Sequence, residues 1–451
     1  MRAMRIASFW AKGYRSLRDV RIDGLGAFNV FYGPNGGGKT NILEGIRTLF
    51  WLASVRITAA VLQGSLDAHG AKEAVRLGFK RRELCAHDPG RTVVLGALLV
   101  EDDTAVPLLA SEPLRLRELT LEVTFDWIVE GEPKLTISAL RAGTEDLLTL
   151  WLSDAVDRER ESRRAHLQAF VSEVLPARAY GLVRADRQPR PETTLRQPEP
   201  GDIVARYLQA GLLKNALLAA QLSPSHEVRR KLTEFRALLA GPPLHRPPFA
   251  PVQDPLTGDV DLREALPEPN PEGRDISIDL TGLGIAQIYS ILAQAMLLRT
   301  RAVGIEEPEA HLHAPTSGRA LRQLLVRLVG EKHIDQLFIA THSNLFDLDP
   351  TGYYDVSLQD GCTVVKRSDL TRIDREHLYE PGPAKHALAR LLQYAPEDEV
   401  VFRRSDGSPV TAKEMLDLLQ EDDDVAVKFL QDVHGAAVRM VKVQAKKPQG
   451  G

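Results

Sequence analysis

The sequence lacks the features that mark secreted and membrane proteins. It contains 2 cysteines, Cys85 and Cys362. These are too few for a disulfide framework, so both are expected to be packed thiols in a reducing compartment. The first residues contain no apolar signal-peptide core. The longest apolar stretches, such as 288–298, include polar residues and fall short of the roughly 20 residues that a membrane span needs. We therefore expect a cytoplasmic protein with no membrane partner.

The sequence also lacks a surplus of positive charge. Lys and Arg number 57 against 61 Asp and Glu, which gives a formal net charge of -4. Proteins that bind nucleic acid through their overall charge are basic, so any DNA contact would require a local patch. Hydrophobic residues make up 43% and charged residues 26% of the 451 residues. These proportions are those of an ordinary globular protein with two or three structural units.

A glycine-rich turn carries the strongest motif. Residues 33–40 read Gly-Pro-Asn-Gly-Gly-Gly-Lys-Thr and match the phosphate-binding pattern G-x-x-x-x-G-K-[ST]. Apolar patterning predicts a strand over 27–32 and a helix over 40–52. In this context glycines let backbone N–H groups wrap phosphate oxygens, Lys39 reaches the β- and γ-phosphates, and the Thr40 hydroxyl binds Mg²⁺. The alternative is a plain glycine turn with a stray lysine. The predicted nucleotide-binding residues are Asn35, Gly36, Gly37, Gly38, Lys39, Thr40 and Asn41.

Two later strands end in polar residues that suit the same chemistry. The apolar segment before Glu306 and Glu307 predicts a strand ending in two carboxylates. Glu306 would then hold the Mg²⁺ shell and Glu307 would act on the attacking water. A second apolar segment, 337–341, delivers His342 to its carboxyl end, where the ligands of α/β sheets gather. Taken alone, paired acids and a surface histidine are common, so these assignments depend on the phosphate loop.

The order of these three segments resembles the ABC-type ATPases of the SMC/RecF/OLD group. Residues 306–313 read Glu-Glu-Pro-Glu-Ala-His-Leu-His and 341–343 read Thr-His-Ser. The chain is especially similar to the stand-alone bacterial AAA family ATPases (OLD-like) encoded near phage-defence and mobile elements. Residues 13–20 look like the first hairpin of that group. The resemblance covers residues 1–55 and 275–350.

The resemblance implies a shared nucleotide site. In that group two ATP molecules lie between two heads, and each head supplies a signature segment to the nucleotide of the other. This implies a homodimer or a higher homo-oligomer. The matching segment is 279–287, in which Thr281 and Ala286 stand where two versions of the signature have serine. The alternative is a glycine cap on a buried helix. The residues expected to act on the second subunit are Thr281, Gly282, Gly284 and Gln287.

Other candidates have weaker support. His311 and His313 are two positions apart, but a zinc site requires a cysteine or a third histidine nearby. The resemblance instead places both histidines at the head–head interface. Arg184 and Arg187 are similar to an arginine-bearing turn of related ATPases, which implies that they approach phosphate or DNA. The alternative is an arginine-rich loop exposed to solvent. The acids at 422–424 follow a predicted helix and not an apolar strand. An intrinsic Toprim nuclease is therefore not expected.

The predicted fold is α/β: an ABC-type, P-loop NTPase head with a helical lobe or insertion and a small α+β C-terminal unit. The head is expected over residues 1–150 and 275–350, interrupted at 151–274 by a mostly helical insertion with a proline-rich loop. Residues 351–451 are expected to form the C-terminal unit, which could bind a partner. Six prolines within 241–255 predict a segment without regular structure.

The predicted activity is ATP hydrolysis with ATP and Mg²⁺. Lys39, Glu307 and His342 are the catalytic candidates, and Thr40 and Glu306 are the metal ligands. The resemblance implies a nucleotide-dependent switch in an anti-phage defence complex that controls a separate effector, such as a nuclease or toxin. The alternative is a RecF-like DNA repair or chromosome-maintenance ATPase. A RecF-like function is expected to require sustained coiled-coil heptads and a basic interface, and the sequence shows neither.

Overall fold

The computed structural model describes two compact units, Met1–Ser368 and Asp369–Gly451. The described residues are 5–63, 92–109, 112–126, 134–147, 165, 179–185, 192–193, 203–266, 274–298, 300–310, 312, 315–343, 346, 352–368, 388, 392, 394–404, 407–420, 425–426, 429 and 432–433. Within these residues no helix is long and apolar enough to cross a membrane.

The described strands are β1 (Arg5–Tyr14), β2 (Leu17–Asp23), β3 (Phe28–Tyr32), β4 (Thr92–Leu109), β5 (Glu112–Asp126), β6 (Lys134–Ala142), β7 (Glu145–Asp146), β8 (Tyr180–Val183), β9 (Glu192–Thr193), β10 (Phe249–Gln253), β11 (Asp259–Ala265), β12 (Asp275–Ser277), β13 (Ala302–Glu306), β14 (Gln336–Thr341), β15 (Tyr353–Gln359), β16 (Cys362–Arg367), β17 (Val400–Arg403) and β18 (Pro409–Thr411). The described helices are α1 (Lys39–Gln63), α2 (Ile203–Gln209), α3 (Leu213–Leu222), α4 (His226–Ala240), α5 (Leu283–Leu297), α6 (Pro315–Gly330) and α7 (Ala412–Gln420).

A six-stranded sheet in the order β16-β15-β3-β14-β13-β8 forms the centre of the first unit. The pairs from β15 to β8 are parallel, and β16 closes one edge as an antiparallel strand. Every residue of β13 and β14 is buried, as expected for parallel strands covered on both faces. The carboxyl ends of β3, β13 and β14 therefore lie side by side at one edge of the sheet.

The two faces of this sheet contact different layers. Phe338 and Ala340 of β14 belong to a core that also holds Ile42 and Ile46 of α1. The same core includes side chains of a second, antiparallel sheet in the order β2-β1-β4-β5-β6-β7. The alternate residues of β14 belong to a separate core shared with α2 to α6. The period-two alternation of strand side chains thus assigns α1 to one face and the helical lobe to the other. The predicted α/β P-loop head is confirmed.

The segment predicted as a mostly helical insertion, 151–274, is corrected in two places. Tyr180–Val183 forms β8 and pairs with β13, so this segment contributes an edge strand to the central sheet. Strands β9, β10 and β11 form a small antiparallel sheet with β12. The described helices α2, α3 and α4 fill the rest of the lobe.

The proline-rich segment 241–255 is not free of regular structure, because it contains β10. Strand β10 lies at the edge of its sheet and pairs with β11. The Ala265 N–H donates to the Pro248 carbonyl at 2.9 Å, so Pro251, three positions later, opposes Leu262 as a non-hydrogen-bonded pair. Pro251 needs no N–H on that side, which is why an edge strand tolerates it.

The C-terminal unit also begins later than predicted. The hairpin β15–β16 pairs with β3 in the central sheet, and the second unit begins at Asp369 and not at residue 351. Within the second unit, β17 pairs with β18, and α7 follows with Met415 and Leu419 buried in a small core of its own. The described part of this unit is α+β, as predicted.

Candidate functional site

The turn between β3 and α1 is held by close backbone contacts. A Cβ built on Gly33 would lie 1.9 Å from the Val356 carbonyl oxygen, and one on Gly38 would lie 1.9 Å from Thr363 Oγ1. Gly38 also has φ +101°, a region that side chains disfavour. The hairpin β15–β16 therefore packs directly on the phosphate loop, and these two glycines permit it.

Lys39 begins α1 and is 5% exposed. Its Nζ donates to the carbonyl oxygens of Gly33 at 2.7 Å and Pro34 at 2.8 Å. Burial lowers the pKa of Lys39, and the carboxylates of Glu307 and Glu309 oppose that shift. The ammonium therefore lies close enough to both acids to interact with them electrostatically. Lys39 is more than 260 positions away from these two acids in the sequence, and the neighbouring strands β3, β14 and β13 bring them together.

Two neighbours of Lys39 differ in what they contact. Thr40 is exposed at the first turn of α1, where its hydroxyl is accessible to a cation. The Asn41 amide donates to Ser16 Oγ at 2.7 Å and accepts from Arg15 Nη1 at 3.4 Å. Asn41 therefore fixes the β1–β2 turn beside the phosphate loop. The sequence pattern identified Asn41 but not this role, and it did not single out Arg15.

Glu306 and Glu307 stand at the carboxyl end of β13. Glu306 is 8% exposed, and its Oε2 accepts from the Ala185 N–H at 3.4 Å. Glu307 has φ +41°, and its N–H donates to the Ala340 carbonyl at 2.7 Å. A non-glycine residue in this left-handed region costs roughly 1 kcal/mol and is common at functional sites. The chain thus turns sharply between the two acids.

Glu309 is a site residue for which the sequence analysis predicted no role. Its Oε1 accepts from Thr341 Oγ1 at 2.6 Å and from the His342 N–H at 3.0 Å, and it lies 3.2 Å from His342 Nδ1. The Glu309 side chain is 10% exposed, whereas that of His342 is 48% exposed. Within the described residues, Glu309 Oε2 is buried without a hydrogen-bond partner. An acid three positions after Glu306 in a Glu-Glu-Pro-Glu run was the available signal.

The signature segment is exposed where α5 begins. Gly282 caps α5 with φ +100°, Thr281 and Gly284 are half-buried, and Gly282 is exposed. The apolar side chains of Leu280 and Leu283 beside them are 75% and 48% exposed. These residues form a surface on which a second protein could pack.

Gln287 differs from the rest of the predicted signature. It is 0% exposed and lies one helical turn inside α5. A side chain buried in the core of its own head cannot contact a second subunit in this conformation. The prediction for Gln287 is therefore corrected, because position 287 lies deeper along α5 than Gly284, where all residues from Ala286 to Leu297 are buried.

The Arg184 side chain is partly exposed but also contacts the neighbouring helix α1. It forms an ion pair with Glu44 of α1, whose side chain is 4% exposed, and Glu44 also pairs with Arg47 at 2.8 Å. Burial raises the pKa of the nearby Tyr180 well above its usual value, and Glu306 and Glu44 add to the shift. Arg184 therefore ties β8 to α1. The candidates Arg187, His311, His313 and 422–424 lie outside the described residues.

The part of the chain that the structure describes contains no cluster of side chains of the kind that binds zinc. Groups of three or more His, Cys, Asp or Glu side chains able to hold a metal ion do not occur there. The oxygens of Thr40 and Glu306 could bind Mg²⁺ together with nucleotide phosphates, since this ion prefers oxygen ligands and commonly uses few from the protein.

A protein-family model matches residues 155–349. Its description is "AAA domain, putative AbiEii toxin, Type IV TA system". The match includes the signature segment, both acids of β13 and His342, and it ends before β15. It supports an AAA or ABC-type P-loop ATPase, which agrees with the site geometry.

Curated proteins that resemble the chain are named DNA replication and repair protein RecF. The Acinetobacter baylyi protein is 46% identical over 46 residues, which are 10% of this chain and 13% of that protein. The Acinetobacter baumannii (strain SDF) protein is 60% identical over 35 residues, 8% of this chain and 10% of that protein. The Geotalea daltonii protein is 30% identical over 80 residues, 18% of this chain and 21% of that protein. The chain thus spans about a tenth to a fifth of the length of these relatives.

Solved structures similar to this chain include heads of SMC proteins. The SMC head domain from Thermotoga maritima matches with a TM-score of 0.42 and 14% identity, over 81% of this chain and 100% of that chain. A Pyrococcus furiosus SMC head, bound to the C-terminal domain of ScpA, matches with a TM-score of 0.43 and 14% identity, over 80% of this chain and 96% of that chain. At scores of this size, the strand order of the sheet and not the superposition identifies the fold.

Proposed function

We propose that this chain hydrolyses ATP, with the phosphates on loop 33–40. The observation that carries the proposal is one cluster of charges at the sheet edge. Lys39, at the start of α1, interacts electrostatically with Glu307 and Glu309 after β13. Glu309 in turn contacts His342 after β14. A cation for phosphates, a carboxylate for water and a histidine beside them are the parts that phosphoryl transfer to water requires.

Lys39 and the loop amides bind and orient the triphosphate. The ammonium is already directed to the loop by two carbonyl oxygens, 2.7 and 2.8 Å from Nζ. Because α1 begins at Lys39, its first N–H groups add partial positive charge at the same point. Thr40 and Glu306 would hold Mg²⁺, which neutralises charge on the β- and γ-phosphate oxygens when bound.

Glu307 is assigned to the attacking water. It is only half-buried, unlike Glu306, so a water can reach it. The backbone turns at Glu307, where φ is +41°. We therefore assign different roles to Glu306 and Glu307. Glu307 accepts the water proton or orients the water during attack on the γ-phosphorus.

Glu309 positions His342. With a proton on Nδ1, 3.2 Å from Glu309 Oε1, the imidazole would donate to that carboxylate and leave Nε2 for the water or the γ-phosphate. The same carboxylate oxygen receives the His342 N–H and the Thr341 hydroxyl. Backbone and ring are therefore oriented by one group.

We further propose that two heads pair and share their nucleotides. The half-buried Thr281 and Gly284 and the exposed Gly282 would then contact the γ-phosphate held by the other head. Leu280 and Leu283 would pack against the protein surface of that head. A closed two-fold pair is the simplest arrangement that uses this surface on both copies. Higher homo-oligomers built from such pairs would keep the same site.

For the biological role we propose a nucleotide-dependent switch, OLD-like in kind, in an anti-phage defence complex that controls a separate effector. The matched family model is described by a putative toxin of a toxin–antitoxin system, which favours this role. The second candidate is a RecF-like DNA repair ATPase, favoured by the short RecF matches. DNA binding measured by anisotropy with and without ATP would distinguish them, since the repair role requires it.

The activity is tested with Glu307→Gln. The amide is nearly isosteric but cannot take a proton, so ATP affinity should stay within about threefold and turnover should fall at least about a hundredfold. Phosphate release measures turnover and calorimetry measures affinity. Asp335→Asn, at the opposite end of the same sheet, is the control. Turnover near that of wild type in Glu307→Gln would remove this residue from the reaction.

A further inference from the structure

A buried lysine lies directly behind the signature segment. Lys214, the second residue of α3, has a side chain that is 4% exposed. Its Nζ lies 2.6 Å from Asp279 Oδ2 and 3.6 Å from Asp261 Oδ1. Burying an ammonium is costly unless acids pair with it. Asp279 stands two positions before Thr281, so the pair reaches the exposed segment almost directly.

The turn that carries Asp279 is connected to the same cluster by side-chain bonds. Ser277 Oγ donates to Asp261 Oδ1 at 2.8 Å and accepts from the Asp279 N–H at 3.3 Å. Residues Ile278–Leu280 form a single 3-10 turn, and Thr281 Oγ1 donates to the Ile278 carbonyl at 2.8 Å. A displacement of Asp279 would therefore be transmitted to Thr281.

The position of Lys214 is itself fixed by a buried acid. Glu192 is 4% exposed, and its carboxylate accepts from the N–H groups of Lys214 at 3.0 Å and Asn215 at 2.8 Å. Burial raises the pKa of Glu192, and these hydrogen bonds oppose the shift. Glu192 also pairs through the backbone with Val260 of β11, next to Asp261. The start of α3 and the strand carrying Asp261 are thus held together.

We infer that Lys214 is a positioning residue for the signature turn. It pairs with two carboxylates and holds Asp279 so that Thr281, Gly282 and Gly284 keep the shape that a nucleotide on the partner head requires. The inference rests on the proposed sharing of ATP between two heads. Among the described residues, the Lys214 ammonium pairs with Asp261 and Asp279 and not with loop 33–40, so its loss should affect the two halves of the ATP site differently.

The charge balance sets the expected effect. Without the ammonium, Asp261 would keep its ion pair with Arg263, whose Nε lies 3.3 Å from Asp261 Oδ2, whereas Asp279 would lose its pair with Lys214. Asp279 is also the more exposed of the two acids, at 40% against 26%, so the turn that carries it is the part expected to move. In Lys214→Met we expect ATP affinity within about threefold of wild type and turnover reduced by about tenfold or more. Lys214→Arg, which keeps the charge, should retain more activity than Lys214→Met.

Two variants separate this role from general stability. Lys231→Met is the matched control, because Lys231 lies in the same lobe, is 17% exposed and pairs with Glu234 at 3.5 Å; its turnover should be unchanged. Asp279→Asn removes the other partner at a less buried position and should lose turnover with no more than a small shift in melting temperature. Full turnover in Asp279→Asn would overturn the inference even if Lys214→Met folds poorly.

Mixing decides which half of the site is damaged. A Lys214→Met chain has an intact phosphate loop, and a Lys39→Ala chain has an intact signature turn. Equal mixing should restore about a quarter of wild-type turnover, because half of the pairs are mixed and each has one complete site. The same mixture made with Gly284→Glu in place of Lys214→Met tests the shared site alone. Recovery with Gly284→Glu but not with Lys214→Met overturns the positioning role, and failure of both, with mixed pairs present by native mass spectrometry, overturns the shared site.

Discussion

The phosphate-loop region and the signature region are built in opposite ways. Lys39 is 5% exposed, and its loop is covered by the hairpin β15–β16. Leu280, in contrast, is 75% exposed, and Gly282 has nothing within 4 Å of a built Cβ. One region is enclosed by its own chain, whereas the other is exposed among the described residues. In the proposed pair of heads, the second subunit covers this exposed region.

The largest effect should come from Lys39→Ala. The loop would lose the side-chain cation at the β- and γ-phosphates, so ATP affinity should fall by at least about a hundredfold, a loss of roughly 3 kcal/mol. Calorimetric titration measures it. Lys231→Met serves as the control for loss of a lysine elsewhere. Wild-type affinity in Lys39→Ala would show that loop 33–40 does not hold the nucleotide.

Gly284→Glu should sharpen the contrast between the two regions. The new carboxylate would face a γ-phosphate held by another chain, so turnover should be abolished while ATP affinity changes by less than about threefold. Gly258→Glu adds the same charge in an open turn and should keep turnover, although its φ of +77° adds a backbone cost that Gly284, inside α5, does not carry. Weakened ATP binding in Gly284→Glu would mean that the signature region contacts the nucleotide of its own chain.

Glu309→Gln should have an intermediate effect. The amide can still accept from the Thr341 hydroxyl, but the negative charge beside His342 is lost, so we expect kcat to fall about tenfold to a hundredfold with KM little changed. The pH profile of kcat should shift as well, which a merely structural role would not produce. An unaltered kcat and pH profile would show that His342 does not depend on Glu309.

The smallest effect tests the packing of the loop. Gly38→Ala and Gly36→Ala both place a side chain at positive φ, which costs about 1 kcal/mol. Only Gly38→Ala also forces a Cβ against Thr363, since nothing lies within 4 Å of a Cβ at Gly36. Gly38→Ala should therefore be less stable by a further ~1–3 kcal/mol in chemical unfolding. Equal losses would show that the β15–β16 hairpin does not restrict the loop.

Much of the site was predictable because local pattern and chemistry coincide there. The strand before Gly33 and the helix from Lys39 followed from apolar spacing, and the ends of β13 and β14 followed from apolar runs that stop at Glu306 and His342. The structure brings these ends together as adjacent parallel strands. The prediction for Gln287 was wrong, because a short motif does not show where along a helix the chain becomes buried on all sides.

Sequence by itself determined the chemistry: a glycine loop with a lysine, two acids after one strand and a histidine after another. These depend on residue types and short spacings, which local backbone preferences translate directly into strand, turn and helix. Tertiary structure alone decided that Glu309 contacts His342, that Thr363 lies against Gly38 and that Lys214 pairs with Asp279. Each of these contacts joins residues more than 30 positions apart, and their pairing is set by sheet order and core packing, which no local pattern encodes.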